Sequence, residues 1–140
     1  MKTKKALFAG TFEIFHSGHV DVLLQAAGLF DFVYVAVSYN PYKTNASPID
    51  ERLERAQAKI AELKLTNVAV IKNNGFGVIC ARLNGCQYLV RGIRNVNDVQ
   101  HELDLATRNQ ELEPTIRTVL LVAKNELRHT SSTNILTPKK

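Results

Sequence analysis

A short apolar run ends at Gly10-Thr11-Phe12, and His16 and His19 follow, three residues apart around Ser17-Gly18, just where a helical apolar pattern begins. The first turn of a helix presents backbone N–H groups without intrahelical partners and the positive end of the helix dipole, which together attract a phosphate. Gly18 and His19 stand in that turn, and Thr11 adds a hydroxyl beside it. A second cluster, Arg91-Gly92-Ile93-Arg94, sets two guanidinium groups around a glycine directly after another apolar run, which suits bidentate phosphate binding. Lys43 lies in the loop Asn40-Pro41-Tyr42-Lys43-Thr44-Asn45, and His129-Thr130-Ser131-Ser132-Thr133 offers small hydroxyls ahead of a last short helix. Alone, a Ser-Ser-Thr run is an ordinary N-cap and a loop lysine is a solvated side chain. Their position among the elements gives them meaning.

Those elements alternate. Residues 6–9 read as a strand, 18–30 as a helix with Val20, Leu23, Leu24, Ala27 and Phe30 at helical spacing, and 32–38 as a β-branched, buried strand. Ser47-Pro48-Ile49-Asp50 has the form of a helix start, with Ser47 as N-cap, Pro48 in the first position and an acid three residues after the cap. Leu53, Ala56, Ile60 and Leu63 carry that helix to about Lys64. A strand at 68–71, a short helix at 76–83 ended by Asn84-Gly85, and a strand at 88–90 that runs into the arginines come next. A helix at 96–112 has Val99, Leu103, Ala106 and Leu112 on one side, Pro114 closes it, and 118–122 is the last strand. The order βαβαβαβαβ predicts an α/β fold: a Rossmann-like, five-stranded parallel sheet with helices on both faces, in a single domain over residues 1–140. Ligands of such sheets bind beyond the carboxyl ends of the strands. Gly10-Thr11, Lys43, Phe76-Gly77, Arg91 with Arg94, and Ser131 to Thr133 each follow a strand, so all fall at one edge.

Composition narrows the partners. The 45% hydrophobic and 22% charged content over 140 residues is that of a globular chain able to bury a core. No apolar run approaches the roughly 20 residues of a membrane span, and Glu13 and His16 interrupt the basic-then-apolar start that superficially looks like a signal peptide. These features predict a cytoplasmic protein with no membrane partner. The net charge of +5 permits an anionic partner, but it is partly carried by Lys2, Lys4, Lys5, Lys139 and Lys140 near the ends. No internal basic run is interleaved with aromatics, so small anionic ligands fit better than nucleic acid. Cys80 and Cys86, with no histidine pair nearby, do not make a zinc site and read as buried, reduced thiols.

The pattern G-T-F-x-x-x-H-x-G-H, between a strand and a helix, resembles the HxGH nucleotidyltransferases, the superfamily of cytidylyltransferases, adenylyltransferases and class I aminoacyl-tRNA synthetases. Arg91-Gly92-Ile93-Arg94, then Asn97-Asp98, His101-Glu102-Leu103 and Ala106 to Asn109, is similar to the R-G-(L/I)-R block and following helix of the bacterial phosphopantetheine adenylyltransferases. His129 to Thr133 looks like that family's I-S-S-(S/T) segment, and Lys43 matches its substrate-phosphate lysine. The resemblance runs from the first strand to about Ile135. Several positions depart from the family pattern: Glu13-Ile14 replaces Asp-Pro, His16 stands for Thr, and His101 for a common Tyr. Leu127 lies near the place of an aromatic, Leu136 replaces a basic residue, and the usual C-terminal helix has no counterpart before Lys140.

The resemblance implies adenylyl transfer from ATP, with Mg²⁺ on its phosphates, to 4′-phosphopantetheine, giving dephospho-coenzyme A and pyrophosphate. It implies a homohexamer and coenzyme A as a feedback inhibitor. Carried over by position, the catalytic set is His19, Lys43, Arg91 and Thr11. ATP would meet Thr11, Phe12, His16, Gly18, His19, Gly92, Ile93, Arg94, Glu102 and the run Leu127, Arg128, His129, Thr130, Ser131, Ser132 and Thr133. The acceptor would meet Thr11, Lys43, Phe76, Gly77, Arg91 and Asn109, and no protein metal site is implied. A phosphate nucleophile is already ionised at pH 7 and needs no general base, so positioning and charge stabilisation would carry the catalysis. Two other readings stand beside this one. H-x-G-H and the short chain fit a cytidylyltransferase of a polyol phosphate such as glycerol 3-phosphate, and a nucleotide-binding fold without turnover is the third.

Overall fold

In the computed structural model, residues 3–39 and 46–124 are described. The elements alternate throughout: β1 (Lys5–Gly10), α1 (Ser17–Leu29), β2 (Phe32–Ser38), α2 (Ile49–Leu63), β3 (Val68–Asn73), α3 (Gly77–Leu83), β4 (Tyr88–Ile93), α4 (Val96–Leu112) and β5 (Arg117–Val122). The five strands form one sheet in the order β3-β2-β1-β4-β5, every neighbouring pair parallel. This is the expected Rossmann-like architecture.

The chain first winds outward from β1 through β2 to β3, then crosses back to β4 and winds the other way to β5. Right-handed crossovers require such a reversal to put the two halves' helices on opposite faces. The core divides accordingly. Ala6, Phe8, Val33, Val35, Val37 and Val90 pack with Val22, Leu23 and Ala26 of α1 and Ala56 and Ile60 of α2. Leu7, Ala36 and Leu89 pack on the other side with Val78, Cys80 and Ala81 of α3, Cys86 and Ile116. Both cysteines are buried free thiols, and burial pushes Cys86 up to about 11, so it stays protonated at neutral pH. The strand order reverses between β1 and β4, which makes the space above their carboxyl ends the expected ligand crevice.

Three details differ from the sequence reading, and a fourth, the bend after β1, is not specified by it. Ser47 does not cap α2: Pro48 is the N-cap and makes no side-chain cap bond. Instead the Ser47 N–H and hydroxyl both donate to the Glu13 carboxylate, a partner 34 residues away. Strand β4 extends to Ile93, so Arg91 and Gly92 lie within it rather than after it, paired with Leu120 and Leu121 of β5. The bend after β1 takes its positive φ, 48°, at Phe12 and not at a glycine. Gly10 serves another purpose, since a Cβ there would stand 3.1 Å from the Phe12 ring. On α4, Leu103 and Leu112 are exposed, while Val99 and Ala106 are half-buried and Glu102 is the buried residue. The short helix expected after Ser131 lies outside the described residues.

Gly92 sets how closely α1 approaches the sheet. A Cβ at this position would lie 2.8 Å from Val22 Cγ2 of α1, inside any tolerated contact. Gly92→Ala is expected to destabilise the fold by about 1–3 kcal/mol, the usual cost of overpacking. Urea unfolding measures it, and adding Val22→Ala to Gly92→Ala should recover part of the loss.

Candidate active site

A cavity of about 1120 Å³ opens at the carboxyl edge of the sheet. That is ample for a nucleotide with a second substrate, since small-molecule sites typically span about 300–1,000 Å³. The loop after β1, the first turn of α1, the ends of β2 and β3 and the β4–α4 segment supply its walls. Thr11, Phe12, His16, Gly18, His19, Phe76, Gly77, Arg91, Gly92, Arg94 and Glu102 all line it. Ile93, at the end of β4, and Asn109, near the end of α4, do not. Lys43, Leu127, Arg128, His129, Thr130, Ser131, Ser132 and Thr133 lie outside the described residues.

His16 and His19 are built into the start of α1 by each other. His16 is the N-cap: its Nδ1 accepts the Gly18 N–H at 3.0 Å, and its own N–H donates to His19 Nδ1 at 3.3 Å. The rings stack with centroids 3.8 Å apart and 21° between planes. The glycine of H-x-G-H now has a reason, because a Cβ on Gly18 would come within 2.9 Å of the His16 ring. Accepting at Nδ1 leaves each neutral ring its proton on Nε2, the atom that can donate to an anion.

His19 is enclosed by aromatics. Phe12 meets it edge-on at 5.0 Å, Phe15 lies at 5.5 Å and Phe8 at 6.5 Å. Burial in this surround lowers its pKa to about 4, with the nearby His16 charge acting the same way, the Ile14 carbonyl opposing and Arg94 adding a smaller push. Burial and then Arg94 also lower His16. His19 is therefore a neutral N–H donor at pH 7, able to bind a phosphate oxygen without the desolvation cost of a buried imidazolium.

The positive charge comes from arginine. Arg91 Nε and Nη2 donate to the two oxygens of Glu102 at 2.8 and 2.9 Å, and Nη1 donates to the Ala9 carbonyl at 3.2 Å. Side-on pairing with a buried carboxylate holds the guanidinium plane in one orientation. These bonds use three of its five N–H donors, so two remain for a ligand. Glu102, expected against ATP, is thus first of all the orienting partner of Arg91. Arg94 is more exposed, 3.8 Å from Asp98, whose carboxylate also caps α4 by accepting the Arg94 and Asn95 N–H groups.

Some lining residues had no signal in the motifs. Ser38 and Tyr39 end β2, and Asn73, Asn74 and Gly75 turn the chain into α3. Asn73 is buried, its side chain donating to Ser38 Oγ and the Gly75 carbonyl and accepting the Gly75 N–H. Asn-Asn-Gly is a turn signal, but only the folded chain shows that this turn forms part of a wall. Glu13 is held below the ordinary carboxylate range by the Ser47 hydroxyl and N–H, against burial, with Arg55 and Arg52 adding to the effect.

Comparison with known proteins agrees with this geometry. The cytidylyltransferase-like family model matches residues 7–137. Phosphopantetheine adenylyltransferase of Malacoplasma penetrans is 36% identical over 135 residues, 96% of this chain and 89% of that protein. The enzyme of that name from Limosilactobacillus reuteri strain DSM 20016 is 40% identical over 129 residues, covering 92% of this chain and 73% of its own length. The chain belongs to the phosphopantetheine adenylyltransferase family. Among solved structures, a putative nicotinate-nucleotide adenylyltransferase from Vibrio parahaemolyticus superposes with a TM-score of 0.65 over 88% of this chain and 76% of its own, at 16% identity. A lipopolysaccharide core biosynthesis protein from Thermoplasma volcanium gives 0.63 over 88% of this chain and 99% of its own, at 23% identity. These two share the fold. In this phosphopantetheine adenylyltransferase homologue, His16, Gly18, His19, Arg91, Gly92 and Arg94 line one cavity.

The low pKa of His19 has a stability consequence. Between pH 6.5 and about 4 the unfolded chain takes up a proton at this residue and the folded chain does not. Stability is therefore complete above pH 6.5 and is lost as pH falls toward 4, by at most about 3 kcal/mol at one histidine. His19→Asn should lose less stability than the unsubstituted protein over that interval. Urea titrations at pH 7 and pH 4.5 give the difference, from which the carboxylates common to both proteins cancel.

Proposed function

We propose that this protein transfers the adenylyl group of ATP to 4′-phosphopantetheine, releasing pyrophosphate and forming dephospho-coenzyme A. The observation that carries this reading is the convergence, in one cavity at the β1–β4 switch point, of a helix N-terminus bearing His19 with the Glu102-oriented Arg91. Relatives named for that activity match at 36–40% identity over most of the chain and support it. A phosphate oxygen of the acceptor attacks the α-phosphorus of ATP in line, and the bond from that phosphorus to the β-phosphate bridging oxygen breaks. The pyrophosphate leaves with the bonding electrons. The attacking oxygen is ionised at pH 7, so no side chain has to take a proton.

His19 gives a neutral hydrogen bond to the α-phosphate, one that strengthens as charge builds there. Arg91, with Thr11 and Lys43, holds the acceptor phosphate. Arg94, Gly92, Phe12, His16, Gly18, Glu102 and the run 127–133 form the ATP side, without Ile93, which lies outside the cavity lining. Phe76 and Gly77 take the pantetheine arm, without Asn109, which lies outside the cavity lining. The described residues contain no group of three or more His, Cys, Asp or Glu that could ligate a metal, so they do not offer Mg²⁺ a protein cage. Mg²⁺ belongs in this proposal as the counter-ion carried by ATP, and no step runs through it.

A homohexamer, coenzyme A as inhibitor and a cytoplasmic location belong to the same proposal. Exposed Val96, Leu103 and Leu112 on α4 and Val122 on β5 favour association of copies. No helix among the described residues is long and apolar enough to cross a membrane. Sedimentation tests the assembly.

His16 in the H-x-G-H form, built into the α1 cap, favours a second reading, a cytidylyltransferase of a polyol phosphate. Pyrophosphate release with ATP and 4′-phosphopantetheine, run beside CTP and glycerol 3-phosphate, separates the two. Turnover in the first pair alone is expected, and turnover in the second alone would overturn the reading. His19→Ala should lower kcat by about 10²–10³ with a smaller change in KM, as for loss of one oxyanion donor. Unchanged kcat would remove His19 from its role. Lys43→Ala should chiefly raise the Kd for 4′-phosphopantetheine, which calorimetry reads directly.

A further inference from the structure

Arg52 is the largest fully buried side chain in the molecule's described part, 2% exposed, near the start of α2. A buried guanidinium normally needs a carboxylate. Among the described residues none forms an ion pair with it. Its hydrogen bonds to described residues go to backbone carbonyls: Nη1 to Thr11 at 2.7 Å and Ser38 at 2.8 Å, and Nε to Ser47 at 2.9 Å. Thr11 follows β1 and Ser38 ends β2, and both line the cavity, whereas Arg52 does not. The charge thus sits behind the cavity wall, bonded to two carbonyl oxygens that would otherwise repel a phosphate there, and among the described residues no acid forms an ion pair with it, although its field reaches the Glu13 carboxylate.

We propose that Arg52 is a positioning residue for the transfer reaction: from behind the wall it covers the Thr11 and Ser38 carbonyls, fixes the Thr11 backbone, and makes that side of the cavity positive for the acceptor's phosphate. It touches neither substrate. The proposal rests on the substrate assignment made above only for the choice of assay pair. A buried arginine needed just to hold α2 against the sheet would lower stability and leave the kinetics of the folded protein unchanged. A positioning arginine alters them.

The test uses Arg52→Met, which keeps much of the volume and removes the charge, and Arg52→Lys, which keeps the charge and loses the fork. Both are assayed by pyrophosphate release well below their own Tm, with calorimetric Kd for 4′-phosphopantetheine. Arg52→Met is expected to raise KM and Kd for 4′-phosphopantetheine about tenfold or more, to lower kcat, and to change KM for ATP by no more than about twofold. Arg52→Lys should restore most of the KM and less of the kcat, because an ammonium supplies charge but cannot reproduce the fork. A folded Arg52→Met with a lowered Tm and unaltered kcat and KM would overturn the proposal. Should neither variant fold, the unsubstituted protein still decides. The Arg52 Nε–H resonance should shift on adding 4′-phosphopantetheine while that of Arg82, paired with Glu113, should not. An unmoved Arg52 resonance would overturn the proposal. If the unsubstituted protein turns over CTP and glycerol 3-phosphate instead, the substrate assignment fails alone, and the same contrast is expected with that acceptor phosphate.

Discussion

All five strands run the same way, so their carbonyl-terminated ends gather at the one edge where anions have to bind. Bare carbonyl oxygens would repel phosphates. Much of the structure at this edge answers that constraint. The Ala9 carbonyl is taken by Arg91 and the Thr11 and Ser38 carbonyls by Arg52, while the Asn73 carbonyl accepts the Tyr39 N–H. Over the reversal between β1 and β4 stands the N-terminal turn of α1, with its N–H groups and positive dipole end. Gly92 allows that helix to sit close against β4.

The site divides its electrostatic labour between two kinds of donor. Arginine remains charged under any protein condition and supplies attraction. Histidine in an aromatic surround is discharged and supplies direction. A doubly charged histidine pair with ring centroids 3.8 Å apart would repel itself and unmake the α1 cap, so the stacking and the neutral state support each other. Phe12 contributes at a backbone cost: it holds φ at +48°, where a β-carbon is disfavoured, and its buried ring closes the pocket around His19.

Helix α4 is an exception to ordinary packing. Its single buried residue is an acid, Glu102, and two of its leucines face outward. The helix is attached to the sheet partly through an ion pair in the cavity wall, Glu102 with Arg91, rather than through a continuous apolar stripe. Orientation of Arg91 and attachment of α4 are in this way one interaction, and a change at either residue acts on both.

Local chemistry was open to reading along the chain. Helical spacing of apolar residues and short apolar or β-branched runs marked the elements; α4 and β2 came out with their observed ends, and the order of elements argued for a parallel sheet. The histidine and arginine clusters were visible because their partners are near neighbours: His16 bonds Gly18 and His19, and Asn95 and Asp98 cap α4. Contacts between distant segments had no such trace. Ser47 looks like a cap and instead binds Glu13, Arg52 carried no signal in the sequence and is buried, and Glu102 looks like a ligand contact and holds Arg91. Periodicity reports how a residue relates to those a turn away; which strand lies beside β1, and hence which carbonyls an arginine 41 residues later can reach, is decided only when the sheet closes.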